Sequence, residues 1–229
     1  VSEADWTVCN DSTASIKRGV TNGIARPNGG GNFVYGFNST ELTPGCSALF
    51  CNLANFAPAA KGMSVSCAIK RGVSGGPAGF APFLYVLLAG PSVHDDAYIL
   101  GLEDADPHKI VLRKGALEEG VPSVALGTMG TLRKSTASYA VDTWLHLRLD
   151  AIVQPNNDVL LKAFRSDLSN PVTSPAWVAI PGIGDFVDDA LGVNSGSTPL
   201  LLGRGGFGFQ SEDVTRRGFF DHIAVNRQL

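Results

Sequence analysis

No run of apolar residues in this chain approaches the roughly 18 that a membrane-spanning helix needs. The longest, residues 80–89 (FAPFLYVLLA), is far shorter and reads as a strand buried on both faces. Charge is also scarce. Asp, Glu, Lys and Arg make up 17% of the residues and the formal net charge is −3. Such a chain lacks the basic surface that phosphate backbones and anionic membranes demand, so neither nucleic acid nor membrane is an expected partner. There is no C-x-x-C pair, which removes the usual zinc spacing. There is no G-x-S-x-G, which removes the nucleophile elbow. The opening residues VSEADWTV carry no basic stretch followed by an apolar run, so no signal peptide is expected.

Cysteine is sparse: Cys9, Cys46, Cys51 and Cys67. Cys67 shares an apolar register with Met63, Val65 and Ile69 and reads as a small buried hydrophobe. Cys46 and Cys51 flank a short segment and leave a disulfide open. Four cysteines allow three pairings, and the sequence does not choose among them.

Glycine and proline are plentiful, 27 and 13 residues, in a chain that is 44% hydrophobic. That combination fits many short strands joined by tight turns rather than disorder. A length of 229 residues is compatible with one β-sandwich domain, here 1–229, carrying a glycine-rich arm at about 19–32.

The strongest local signal is residues 142–168. Leu145, Leu147, Leu149, Ala151 and Val153 fall on one face of an extended strand, and His146, Arg148 and Asp150 on the other. Pro155, Asn156, Asn157 and Asp158 supply a turn, after which Val159, Leu161 and Ala163 resume the alternation. Period-two patterning on both sides of a polar turn predicts a β-hairpin. Further strands are predicted at 6–9, 33–37, 48–53, 63–71, 80–89, 97–103, 109–113, 199–202 and 219–226. One short helix is expected at 184–191, with Asp185 as N-cap and Phe186, Val187 and Ala190 or Leu191 buried. So many strands with so little helix imply an all-β architecture of sheet packed on sheet.

Three segments now gain weight from their order. Thr143-Trp144-Leu145-His146-Leu147-Arg148-Leu149 is followed by Leu200-Leu201-Leu202-Gly203, and then by Gly218-Phe219-Phe220-Asp221-His222-Ile223-Ala224-Val225. This resembles the C-terminal half of laminin-G and concanavalin A-like lectin/glucanase jelly rolls. In those, W-x-x-L, L-x-I-G and F-x-G-x-I-D-x-V strands recur in that order. The likeness covers about residues 140–229, with the first half matched by strand count. It implies a two-sheet antiparallel β-sandwich. A second likeness lies near the start. Gly19 to Ile24, then Pro27-Asn28-Gly29-Gly30-Gly31-Asn32-Phe33, is similar to glycine-rich openings of tailed-phage virion proteins.

Function is less legible, since one fold hosts unrelated activities. A glucanase of this class needs paired carboxylates. The nearest candidates, Glu103, Asp104 and Asp106, sit at an apparent Asp-Pro turn and read as solvated. Calcium, which some relatives bind, needs six to eight oxygen ligands. Asp95, Asp96, Asp185, Asp188 and Asp189 form no such loop, so no cofactor and no metal site is expected. His94, His108, His146 and His222 are scattered and read as structural.

The expectation is therefore a non-enzymatic virion component, a capsid decoration or tail-associated protein assembled in the host cytoplasm. Its partners would be other virion proteins or copies of itself in a homo-oligomer. Contacts would come from the arm, Arg26, Pro27, Asn28, Gly29, Gly30 and Gly31, and from exposed Phe207 and Phe209. The alternative is an extracellular carbohydrate-binding module using Trp177, Tyr139 and Tyr35 as aromatic platforms for surface glycans. A glycoside hydrolase is a third, weaker reading.

Overall fold

A computed structural model describes residues 6–10, 15–19, 27, 34–38, 45–51, 61–72, 80–90, 92, 95–103, 107–117, 130–166, 169–191, 198–211 and 217–228. In the first four strands, apart from Ala48, and at a few other strand ends it describes the backbone alone. Two antiparallel sheets face each other. The seven-stranded sheet contains, in spatial order, β1 (Trp6–Asn10), β4 (Gly45–Cys51), β14 (Arg204–Ser211), β6 (Phe80–Leu88), β7 (Asp96–Glu103), β8 (Lys109–Ala116) and β9 (Gly130–Ser138). The eight-stranded sheet runs β12 (Trp177–Ala179), β11 (Val159–Ser166), β10 (Trp144–Val153), β5 (Gly62–Arg71), β15 (Arg217–Gln228), β3 (Val34–Asn38) and β2 (Ser15–Gly19). In that sheet β13 (Asp185–Asp188) also pairs with β11. This is the jelly-roll β-sandwich that the C-terminal segments imply, and no helix occurs among the described residues.

The core follows from alternation. Met63, Val65, Cys67 and Ile69 of β5 and Leu147, Leu149 and Ala151 of β10 point inward. They meet Leu84 and Val86 of β6, Tyr98 and Leu100 of β7, and Phe207 and Phe209 of β14. The apolar run of β6 is buried on both faces, because β6 lies between β14 and β7 in mid-sheet. Its Phe83 and Tyr85 join a second cluster with Ala97, Ile99 and Val111. The expected hairpin is β10–β11. Val153 pairs with Val159, and Asn157 takes the left-handed conformation (φ 68°) that the tight turn requires.

Several expectations are corrected. Residues 185–188 form strand β13 and not a helix. Asp185, Phe186, Val187 and Asp188 ladder onto Lys162, Leu161, Leu160 and Val159. Phe186 and Asp188 then face inward while Asp185 and Val187 stay exposed, a period of two. Residues 199–202 form no strand, and the Leu200 N–H instead donates to the Tyr98 hydroxyl at 3.0 Å.

The Gly203–Phe209 segment is mostly strand β14, with a register shift between Arg204 and Gly206. Its glycines let it approach the opposite sheet. A Cβ on Gly205 would lie 2.7 Å from Val65 Cγ2. Phe207 and Phe209 are therefore core residues, 0% and 1% exposed, and not an exposed contact surface. A Cys46–Cys51 bridge is excluded by the backbone. Both lie on β4 five positions apart, about 16 Å at strand rise, against the roughly 7 Å limit for a disulfide. Cys67 is a buried free thiol whose pKa burial pushes well up.

The two sheets are also tied by a buried polar cluster. Lys114 on β8 meets Asp188 on β13 at 2.6 Å, with side chains 1% and 0% exposed. The Tyr98 hydroxyl donates to the same Asp188 oxygen at 2.6 Å, and burial together with that carboxylate raises its pKa. Lys114 also donates to the Thr198 carbonyl at 2.8 Å. Removing one member leaves a buried charge uncompensated, at a cost of about 3–5 kcal/mol. Asp188→Ala should lower the urea-unfolding free energy by that order, and Lys114→Met with Asp188→Leu should recover most of it. Equal losses in the single and double variants would contradict this account of the tie.

Candidate functional site

The outer face of the eight-stranded sheet is shaped by the same alternation that builds the core. Each inward leucine of β10 leaves an outward neighbour: Trp144, His146, Arg148 and Asp150. Opposite Trp144 on β5 stands Lys70, and opposite the other three stand the small residues Ala68, Ser66 and Ser64. Beyond β5, on β15, the corresponding positions are Asp221, Ala224 and Asn226. Large residues on β10 and small ones on β5 make a trough.

Two irregularities close it. The β15 ladder shifts between Asp221 and Ala224, so that two residues, His222 and Ile223, stand opposite Cys67 alone. Ile223 packs against the core, and His222, at φ 49°, is left exposed on the outer side. A bulge of this kind re-aims a side chain out of strict alternation. At the other end the chain returns through residues 171–176. Val172 is buried with Trp144, Ala68 and Phe219, and the Ala176 N–H donates to Ser166 Oγ at 3.0 Å. That return delivers Trp177 opposite Ser166, which itself pairs with His146. The result is a recess of about 230 Å³ between Trp177, His146, Arg148, His222, Ser66 and Asn226, with Ser64 and Thr173 also on its wall.

Its electrostatics are specific. Arg148 is held bidentately by Asp150 (Nε to Oδ1 and Nη2 to Oδ2, each 2.7 Å) and also donates to Ser64 Oγ at 3.1 Å. Its guanidinium lies 5.5 Å from the Phe164 ring centre and 6.0 Å from that of Trp177. His146 is 1% exposed, with its ring 4.6 Å from Trp177 and 6.0 Å from His222 between centroids. Neither of its ring nitrogens has a hydrogen-bond partner. Burial lowers its pKa to about 4, and the neighbouring His222 adds to the shift, so the imidazole is neutral at pH 7. A buried polar group left unpaired costs about 1–3 kcal/mol, so this one calls for a reason.

Of the candidate site residues from the sequence whose side chains the structure describes, only Trp177 reaches this recess. Tyr139 is 7% exposed and belongs to the core. Its hydroxyl donates to the Glu103 carbonyl at 2.8 Å and accepts from Arg71 at 3.2 Å, so it offers no platform. Tyr35 lies on β3, where its side chain is outside the described residues. In the arm, Pro27 is buried, and Arg26, Asn28, Gly29, Gly30 and Gly31 lie outside the described residues. Glu103 pairs with Lys134 at 2.7 Å, and Asp104 and Asp106 are outside the described residues. Among the described residues no three His, Cys, Asp or Glu side chains converge as a metal site. His146, His222, Ser66 and Asn226 were not recognised as site residues. Their convergence depends on strand register and on the bulge, which composition and spacing do not display.

No protein-family model and no curated protein matches this chain. Solved structures do, as folds. A PL-14 alginate lyase from Aplysia kurodai superposes with a TM-score of 0.54 at 10% identity, over 93% of this chain and 87% of the lyase. The lectin UEA-II, complexed with galactose, gives 0.53 at 8% identity over 99% and 94%. A carbohydrate esterase from the Shiga toxin-encoding bacteriophage phi24B gives 0.52 at 12% over 98% and 90%. Identities this low show a shared lectin-type sandwich and no more.

The depressed pKa of His146 makes a pH prediction. In the unfolded chain the imidazole takes its proton near pH 6.5, whereas the folded protein resists until about pH 4. The unfolded state therefore binds more protons in that window, and stability falls on acidification from 6.5 to 4 by up to about 3 kcal/mol. The titratable and charged groups that share the recess with the ring are His222 from β15 and Arg148 from β10; Ala68, Ser166 and Trp177 add none. His146→Phe should remove this component, narrowing the stability difference between pH 7 and pH 4.5 relative to wild type. An unchanged pH profile would contradict the buried, neutral imidazole.

Proposed function

We propose that this chain is a non-enzymatic, lectin-like interaction domain that holds a glycan in the outer-face recess, and that it serves as a component of a phage particle. The observation that carries the glycan reading is Trp177. Its partly exposed ring overlooks a recess where hydroxyl, amide, imidazole and guanidinium groups converge. An aromatic face with a few placed polar groups is the chemistry that recognises a sugar ring. The sheet-on-sheet likeness to a lectin and to carbohydrate-active enzymes supports the same reading.

Non-enzymatic action is favoured by the recess itself. Among the described residues its wall includes no carboxylate, whereas glycoside hydrolysis uses a pair, which disfavours that reaction in particular. The particle assignment draws on the likeness to a phage-encoded protein and on the glycine-rich segment at about 19–32. In that setting the domain assembles with copies of itself or with other virion proteins.

A glycan microarray probed with the purified protein tests the binding claim. Trp177→Ala should weaken the strongest signal by about thirtyfold, corresponding to roughly 2 kcal/mol for a central aromatic anchor, with little change in melting temperature. Incubation with alginate, glucuronan and β-glucan should release no products. Release of unsaturated uronate ends or reducing sugars would replace the non-enzymatic reading. Binding unaffected by Trp177→Ala would place the glycan elsewhere.

A further inference from the structure

We propose that His146 is a ligand-binding residue and that the recess selects an uncharged sugar ring, one of whose hydroxyls bonds a His146 ring nitrogen beside Trp177. This inference rests on the glycan reading above and names the ligand class. The first argument is the missing partner. Both ring nitrogens of His146 are buried and unbonded, although hydroxyls stand close by in the ladder. Ser166 accepts from the Ala176 N–H and Ser64 from Arg148, and neither hydroxyl bonds the ring. A neutral imidazole presents one donor and one acceptor, and a sugar hydroxyl answers either.

The second argument is charge. The cation on this wall, Arg148, already has both carboxylate oxygens of Asp150 on its fork. A second carboxylate, Asp221, stands on the same face, paired across Ala68 from His146. A uronate, sialate or sulfate would therefore meet a guanidinium already compensated by Asp150 and a neutral imidazole, with no free cation on the described wall to pair with it. A neutral hydroxyl edge meets donors and acceptors at Ser66, Thr173 and Asn226.

The third argument is size. A volume of about 230 Å³ falls below the roughly 300–1,000 Å³ of pockets for drug-sized ligands, and suits one ring at a time. Since the imidazole nitrogens carry almost no accessible surface, a hydroxyl reaches them only if Trp177 or His222 changes rotamer. Both side chains are at least partly exposed and have solvent to turn into.

The test uses the full chain on an array carrying neutral glucose-, galactose-, mannose- and N-acetylglucosamine-terminated glycans beside uronate, sialylated and sulfated ones. Titration calorimetry with the strongest-binding oligosaccharide follows, on wild type, His146→Phe and His146→Gln. Neutral glycans should be bound. His146→Phe should fold with an equal or higher melting temperature yet lose at least tenfold in affinity, and His146→Gln, which keeps a donor and an acceptor, should retain more. Binding confined to acidic glycans, or full affinity in His146→Phe, would overturn this inference while leaving the glycan reading in place. Failure of wild type to bind any glycan would remove both.

Discussion

The register of β10 on β5 is the constraint on which everything else depends. Nine consecutive pairs, from Trp144 opposite Lys70 to Ile152 opposite Gly62, fix which side chains of both strands face the core. Strand side chains alternate with a period of two, so a slip by one residue would exchange whole faces. Leu147 and Leu149 would then point to solvent, and His146, Arg148 and Asp150 would enter an apolar interior with nothing to pair them. The energetic penalty for that exchange is what places the polar row outside. The same register that seats the core therefore creates the recess.

The recess is built from departures from regularity laid on that frame. Small residues on β5 lower the floor, the β15 bulge lifts His222 out of its expected position, and a buried Val172 pins the return that carries Trp177. Arg148 and Asp150 neutralise each other on the surface. His146 stands apart: Arg148, Asp150, Ser64 and Ser166 each have a hydrogen-bond partner beside them, whereas neither of its ring nitrogens has one among the described residues. Natural proteins tend to carry such local inconsistencies where function requires them. The Lys114–Asp188–Tyr98 cluster is the contrasting case: equally buried, but mutually satisfied, and placed to hold the sheets together.

The sequence made the sandwich legible where pattern and turn chemistry agreed. The β10–β11 hairpin and β5 show clean alternation, and β6 shows a fully apolar run. Legibility failed where two periods fit the same residues or where apolar side chains were sparse. Asp185-Phe186-Val187-Asp188 suits a helix start as well as an edge strand, and only pairing with β11 decides it. Gly130–Ser138 is largely polar because β9 lies at a sheet edge, and it gave no signal. In β14 the glycines interrupt the apolar alternation and permit close packing on Val65, so the burial of Phe207 and Phe209 was not legible. Trp177 could be picked out as an aromatic candidate, but its companions come from three other segments of chain. Only the ladder register and one bulge bring them together.

The most direct test of this account is NMR of the protein labelled with ¹⁵N in its histidine rings. The account predicts that His146 stays neutral down to about pH 4 and shows cross-relaxation to the Trp177 indole and the His222 ring. A His146 ring that titrates near pH 6.5, as an exposed imidazole does, and that shows no contact with Trp177 would contradict it. The recess would then not exist in the form described.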